Sequence, residues 1–481
     1  MAASKEVTQV QRLERPFRPL PGPAVEDFKL CLQNIDWGVT LKGLSAEEMY
    51  NKFHNVFIGW MNIYLPMRNS RTNNFKNYHK PKGLCNWFTP QLAKMKEMVM
   101  SLFNISQATE DPRDAKNYKL AKINYKSALK QAKFHANQEF IQSSNNTCKA
   151  AWQIIKHETQ PKQQQHATPD ADSFNEYFIS VVDEIREKIP AANTKPDELL
   201  EVQHLPSHQS FAWQPIEYSD IVKVILKLKS SKSCDIYNVS NNLVKLVCSG
   251  VNVPLTMCLN AMLKEGIFPS KLKVSKVVPI FKKGDHRSVK SYRPISLVPV
   301  FSKVFEAIIK IQVNLYFETN NLFSCSQFGF RAGMSTTDAV GGLVSGVLAG
   351  FDAGFDTCAV LCDLSKAFDC VDHDILLRKL KFYGVTGIQN SLFKSYLSYR
   401  QHNIFTNGNL SKSSEVKFGV PQGSVLGPTL FLIMVNDLEY NVSYKSVMFA
   451  DDVTFFTTVN NQNERELKLR CMIDEADEWY K

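Results

Sequence analysis

Apolar positions recur at three- and four-residue intervals through much of the first half of the chain, the spacing of helix faces turned toward a core. Ser45-Ala46-Glu47-Glu48 has capping-box spacing and opens a helix whose Tyr50, Phe53, Phe57 and Met61 share one face, read as core. Thr89-Pro90 supplies an N-cap and a first-turn proline ahead of Leu92, Met95, Met98, Val99 and Leu102. Asp111-Pro112 breaks that helix from a second one. Phe174 to Ile185 is periodic, Asp220 to Ile225 begins an amphipathic helix, and Leu243 to Lys264 reads as one more apolar helical stretch. Strand-like runs then enter. Lys276 to Phe281 ends at the turn Lys282-Lys283-Gly284-Asp285 and returns as Tyr292 to Leu297. A helix is expected over Val304–Phe317, another from Ser335-Thr336-Thr337-Asp338, and ordinary packing helices at Leu376–Phe382 and Ser391–Tyr399. Cys358 to Cys362 is an apolar run that stops at Asp363. Ser446 to Ala450 and Val453 to Thr457 are β-branched or aromatic on either side of Asp451-Asp452, the pattern of a hairpin with two carboxylates at its tip.

Between these elements the composition shifts. Arg15 to Pro23 holds four prolines and is expected to be extended and poorly ordered. Residues 158 to 215 read as a linker around one short helix, with polar Gln160-Pro161-Lys162-Gln163-Gln164-Gln165 at its start. Three segments follow: 1–86, partly disordered and helical; 87–210, a basic helical connector and linker; and 211–481, the main domain. No internal repeat is visible.

With 481 residues, 44% hydrophobic and 22% charged, the chain is long enough for two or three globular domains. Lys and Arg exceed Asp and Glu by 57 − 47 = 10, which favours a polyanionic partner without choosing between nucleic acid and an acidic membrane surface. No apolar run is long enough to span a membrane and the first residues lack a signal-peptide core, so the expectation is an intracellular protein, cytoplasmic or nuclear, with no compact basic localisation cluster. Eleven scattered cysteines without a Cys-x-x-Cys pair fit reduced thiols, and His204 and His208 lack the partners of a zinc site.

Two adjacent aspartates between strands are more often a turn than a metal site. Asp363, at the end of a separate strand, changes the balance, because three carboxylates at strand ends suit divalent-metal and phosphate chemistry. Lys282, Lys283 and Arg293, on a strand pair with a basic tip, could neutralise a triphosphate and its leaving pyrophosphate. Lys119, Lys122, Lys126, Lys130 and Lys133 share one helix face. That stripe reads first as solvated surface, and with Tyr118, Tyr125 and Phe134 among the lysines it is also a candidate contact for an RNA backbone.

Five blocks occur in order: Arg293-Pro294-Ile295-Ser296; Gln327-Phe328-Gly329-Phe330-Arg331; Asp363-Leu364-Ser365-Lys366-Ala367-Phe368-Asp369; Gly419-Val420-Pro421-Gln422-Gly423-Ser424-Val425-Leu426-Gly427-Pro428; and Phe449-Ala450-Asp451-Asp452. Together they resemble the reverse transcriptase of non-LTR, LINE-like retrotransposons, over about residues 215 to 481. The resemblance implies an α+β fold with an antiparallel palm sheet, fingers over about 216–345 and a mainly helical region before them. It implies RNA-directed DNA polymerase activity on an RNA template, a DNA primer and dNTPs, with no membrane partner and an oligomeric state left open. It assigns Asp363, Asp451 and Asp452 to catalysis and to two Mg²⁺ ions, or Mn²⁺ in their place, roughly 3.5 to 4 Å apart, with the Leu364 carbonyl as a further ligand. Asp452 is expected to be the less strictly required of the pair. Phe368 matches the aromatic gate against a 2′-hydroxyl, although a core role is the usual fate of a phenylalanine. Gln422 and Gly423 match the loop beneath the nascent base pair, where Gly419, Gly423 and Gly427 let the backbone approach closely and Pro428 opens a helix.

After the hairpin, only the helix-like Glu464–Lys481 remains. The family's next palm strand, primer grip and thumb are not found, and neither is an endonuclease constellation, so the sequence reads as a piece of a longer element. The alternative reading is a catalytically silent RNA-binding remnant; a telomerase-type polymerase is disfavoured by the block around Asp363.

Overall fold

The computed structural model describes residues 16–69, 87–109, 111–159, 168–192, 194–202, 210–231, 233–364 and 366–481. Gln160 to Gln165, His204, His208 and Ser365 lie outside the described residues. The chain divides into two compact units, residues 71–167 and the remainder.

The smaller unit is helical. Pro90–Thr109 and Pro112–Gln142 pack along each other, with Phe103 and Tyr118 in ring contact at 5.3 Å, and Thr147–Thr159 follows. Thr89 Oγ1 accepts from Leu92 N and Asp111 caps Arg113 N, so both starts lie where the capping residues put them. Helix Pro112–Gln142 has no buried residue.

Among the described residues, the larger unit mixes helices with three sheets. Its first sheet is the minimal pair β1 (Pro16–Phe17) and β2 (Arg68–Asn69). For Pro16–Pro23 this corrects the expectation of a poorly ordered segment, Arg15 lying outside the described residues: Arg18 donates to Met61 O at 3.0 Å and Asn62 Oδ1 at 2.9 Å, and helix Gly22–Gln33 begins directly after Pro21. A proline-rich start is anchored here by a long cation satisfying carbonyls at the end of helix Ala46–Tyr64, which matches the sequence in its capping box and in its buried Tyr50, Phe53, Phe57 and Met61.

Those N-terminal helices share one core with the C-terminal half. Phe53 and Phe57 meet Phe301 edge to face at 5.2 and 5.0 Å, and Tyr50 meets Phe305 at 6.0 Å. The facing helix is Val300–Thr319, starting after Pro299 and four residues earlier than its periodicity suggests. The Leu243–Lys264 stretch is two helices, Asn241–Leu246 and Cys248–Glu265, the second carrying Pro254 in its interior.

The second sheet has β4-β3-β6-β7 order, formed by β3 (Val274–Phe281), β4 (Tyr292–Leu297), β6 (Arg400–Thr406) and β7 (Asn409–Leu410), with β8 (Ser414–Val416) also on β6. Strands β3 and β4 are the antiparallel pair expected, and β3 runs parallel to β6. Helix Ala171–Arg186, placed by sequence in a linker, is docked on this sheet. His402 Nε2 donates to Asn175 Oδ1 at 2.9 Å, Asn175 Nδ2 reaches Ser414 Oγ at 2.8 Å, and Arg186 pairs with Asp372 at 3.0 Å while covering the Phe418 ring.

The third sheet runs β5-β10-β9, from β5 (Asp356–Asp363), β9 (Lys445–Phe449) and β10 (Asp452–Val459), all antiparallel. Helix Gln462–Tyr480 covers the face that bears Val453, Phe455 and Val459. Helix Thr336–Asp352 lies against the other face, its approach made close by Gly346 under Phe456 and Gly350 at Thr357 and Thr458. The α+β class is therefore as expected. Among the described residues, no helix is long and apolar enough to cross a membrane.

Candidate active site

The acidic hairpin is built by a two-residue turn. β9 and β10 close on the pair Phe449↔Asp452, leaving Ala450 and Asp451 between them, and Ala450 has φ +59°. Positive φ at the first central residue suits the right-handed twist of the flanking strands. Across the sheet the register puts Asp452 directly opposite Asp363, the last residue of β5. Direct cross-strand neighbours share a face, so these two carboxylates project together from the sheet's end, both exposed, with the half-buried Asp451 beside them in the turn. All three are hard oxygen donors of the kind Mg²⁺ prefers. Among the described residues no three His, Cys, Asp or Glu side chains are gathered closely enough to hold an ion as they stand, so the acids share one sheet end without converging on one point.

The turn is braced from outside. Residues 326–328 run along the free edge of β9: Met448 N donates to Ser326 O and Phe328 N to Met448 O, both at 2.8 Å. Gln327 Oε1 then accepts from Gly329 N at 2.9 Å and from Ala450 N at 3.0 Å. A Cβ at Gly329 would collide with the Ala450 backbone, which is why this position is glycine.

Beside the acids, a turn over residues 366–369 follows β5. Lys366 sits at φ +56°, with its ammonium 4.7 Å from the Tyr177 ring, and Phe368 stacks on Phe431 at 4.3 Å and 20°. Burial pushes the Lys366 pKa down, against the opposing pull of Asp369. This turn clasps the loop at 419–423, since Gly419 N donates to Val371 O and Val420 N to Phe368 O, each at 2.8 Å. Gly419 (φ +81°) and Gly423 (φ +114°) need both conformational freedom and space, the first against Asp369 and the second against Ser296 O. Gln422 ties the loop to two elements at once: its carbonyl accepts from Ser296 N at 2.8 Å, and its Nε2 donates to Asp369 Oδ1 and Oδ2 at 3.1 and 3.2 Å. The helix Gly427–Val435 begins after this loop with Pro428 in its first turn.

Of the positions expected from sequence, Asp363, Asp451 and Asp452 meet at one sheet end, with Leu364 immediately after β5. Phe368, Gln422 and Gly423 are gathered around the glycine loop. Lys282 and Lys283 are exposed at the tip of β3 and β4, and Arg293 is exposed on β4 opposite Ile280, in a different sheet from the acids; Ser296 at the other end of β4 is what touches the loop.

A family profile described as reverse transcriptase (RNA-dependent DNA polymerase) matches residues 280–481, the span holding every one of these positions. Over this span the chain is similar to reverse transcriptases. Its similarity extends to a probable RNA-directed DNA polymerase from transposon BS of Drosophila melanogaster, 31% identical over 60% of this chain and 33% of that protein. The probable RNA-directed DNA polymerase from transposon X-element of the same species is 32% identical over 50% of this chain and 27% of its own. The RNA-directed DNA polymerase from mobile element jockey of Drosophila funebris is 26% identical, over 57% and 31% respectively. The chain spans about a third or less of the length of these relatives.

Three supports of this site were not singled out by sequence. Gln327 lies inside a motif but carried no sign of bracing the distant turn. Glu306, fully buried, accepts from Val425 N at 2.7 Å and Leu426 N at 3.2 Å and so holds the approach to helix Gly427–Val435. A glutamate between Phe305 and Ile308 was the available signal, since an acid on an apolar face needs a partner. Asp369, inside the third motif, holds the Gln422 amide, a contact that its place in the motif does not signal.

Proposed function

We propose that this domain carries out RNA-directed DNA synthesis, adding dNTPs to a primer 3′-hydroxyl on an RNA template. The observation that carries the reading is the register of Asp452 against Asp363 with Asp451 in the adjoining turn, inside a domain whose family is that of RNA-dependent DNA polymerases. Asp363, Asp451 and Asp452, with the Leu364 carbonyl, would hold two divalent ions, Mg²⁺ in the first instance. Bound there, the ions would neutralise charge on the attacking oxygen and on the leaving pyrophosphate. The chain's own contribution is positioning. Phe368 forms a wall beneath the sugar, held flat by Phe431, and excludes a 2′-hydroxyl. Gln422 and the open backbone at Gly423 receive the nucleotide or template, while Lys282, Lys283 and Arg293 offer cations to the triphosphate from the fingers.

The test is Mg²⁺-dependent extension of a DNA primer on an RNA template by the purified chain, beside Asp451→Asn. Extension that disappears in the variant supports the reading. Absence of extension by the parent, with RNA still bound, supports the second reading, a silent RNA binder; the exposed lysines on the Pro112–Gln142 helix, which buries none of its residues, are the observation in its favour.

A further inference from the structure

Gln422 is held at two points. Its backbone carbonyl is fixed by Ser296 N on the fingers strand β4, and its side-chain nitrogen is turned toward both oxygens of Asp369. An amide has two chemically opposite ends, and nothing in its shape alone decides which end points outward. With Nε2 committed to a carboxylate, the end left for a ligand is Oε1, an acceptor.

Asp369 is itself rigidly placed. Its N–H donates to Lys366 O at 2.8 Å, Gly419 packs against its backbone, and the neighbouring Phe368 O and Val371 O both accept from the glycine loop. The carboxyl is drawn into a crevice whose burial favours its neutral form, and the Lys366 ammonium and the Gln422 amide oppose that by favouring the ionised, acceptor-only form. Lys366 is in turn seated over the ring of Tyr177 on helix Ala171–Arg186.

We propose that Asp369 is a positioning residue for nucleotide selection: it fixes the Gln422 amide with its oxygen outward, so that the site offers an acceptor to an N–H or O–H of the incoming nucleotide or its template partner. This rests on the reading of Gln422 as a nucleotide- or template-contacting residue. In this role Asp369 acts through Gln422, and its effect is confined to nucleotide binding.

Asp369→Ala, Asp369→Asn, Gln422→Ala and the double variant Asp369→Ala/Gln422→Ala would be compared. The readouts are dNTP KM and kcat in primer extension and the dNTP Kd on a primer ended with a dideoxynucleotide, which needs no turnover. Loss of one charge-assisted hydrogen bond that orients a binding group predicts about a tenfold rise in KM and Kd for Asp369→Ala, with kcat within about threefold of the parent. Asp369→Asn keeps the shape and one acceptor oxygen, and a rise smaller than that of the alanine variant is expected. The double variant should be no worse than Gln422→Ala alone, because the two residues act as one unit. Parent-like KM and Kd in both Asp369 variants, with Gln422→Ala impaired, would overturn the inference and leave the Gln422 reading standing. A parent-like Gln422→Ala would remove that reading and the inference with it. Should Asp369→Ala lose as much on the Gln422→Ala background as on the parent, its role is structural and the inference fails.

Discussion

Gln327 holds Ala450 in place: its side-chain oxygen accepts the Ala450 backbone N–H at 3.0 Å, one residue before Asp451. The two residues are 123 apart in sequence, and this bond joins the edge segment 326–328 to the turn that presents the acids. Gln327→Leu would leave the buried Ala450 N–H without a partner, at a cost of about 1 to 3 kcal/mol. The expected result is a lower unfolding midpoint and slower primer extension, with dNTP KM unchanged because the Gln422 loop is untouched. A raised KM with intact kcat would contradict this.

Phe368 lies flat against Phe431, with Phe330 edge-on at 6.1 Å. A ring held this firmly cannot swing aside for a 2′-hydroxyl. Phe368→Ala is expected to weaken dNTP over rNTP discrimination by about tenfold or more, measured as the ratio of kcat/KM values. Undiminished rejection of rNTPs would remove the gate assignment and leave Phe368 a packing residue.

Beneath the loop helix, Lys379 and Asp437 form a fully buried ion pair in which Lys379 also donates to Met434 O at 2.7 Å and Trp479 Nε1 donates to Asp437 Oδ2 at 3.2 Å. Lys379→Met would strand the carboxylate, for a loss of about 3 to 5 kcal/mol in denaturant unfolding. Adding Asp437→Leu should restore much of that stability, since neither charge then remains. Additive losses in the double variant would show that the pair itself is not the source.

Burial holds the pKa of His402 at about 4, against 6.5 for the free side chain, and its Nε2 donates to Asn175 on the docked helix. The folded protein keeps the imidazole neutral while the unfolded chain protonates it first. The stabilisation is therefore complete above pH 6.5 and is lost as the pH falls toward about 4. His54 is pushed the same way by burial, with Lys271 adding to the effect. In His402→Gln the His402 share of the loss disappears, so the stability difference between parent and variant should shrink by about 3 kcal/mol between neutral pH and pH 4. A difference constant with pH would show that His402 does not titrate on unfolding.

Lys119, Lys122, Lys126 and Lys130 are exposed along one helix. If RNA lies there, replacing the four by Gln should flatten the salt dependence of RNA binding, by about 0.7 in the log–log slope for each phosphate of a single strand that a lysine no longer neutralises. An unchanged slope returns the stripe to solvated surface.

The sequence by itself determined what local chemistry can determine. Capping boxes at Ser45 and Ser335, the strand that stops at Asp363, the turn at Asp451-Asp452 and the order of the five motifs are each written within a few consecutive residues, because caps, turns and periodicity act over one turn of helix or a few residues of strand. Tertiary structure alone decided the rest. It chose the register that sets Asp452 against Asp363, brought Gln327 to Ala450 and Glu306 to Val425 across 119 residues, and docked Asn175 on His402 across 227. It also made the N-terminal helices and the helix Ala171–Arg186 part of the packed body, where composition suggested a separate segment and a linker. The reason is physical: a buried N–H, imidazole or carboxylate must find a partner, but which of the many distant candidates it finds depends on how the apolar faces pack, and that is a property of the whole core.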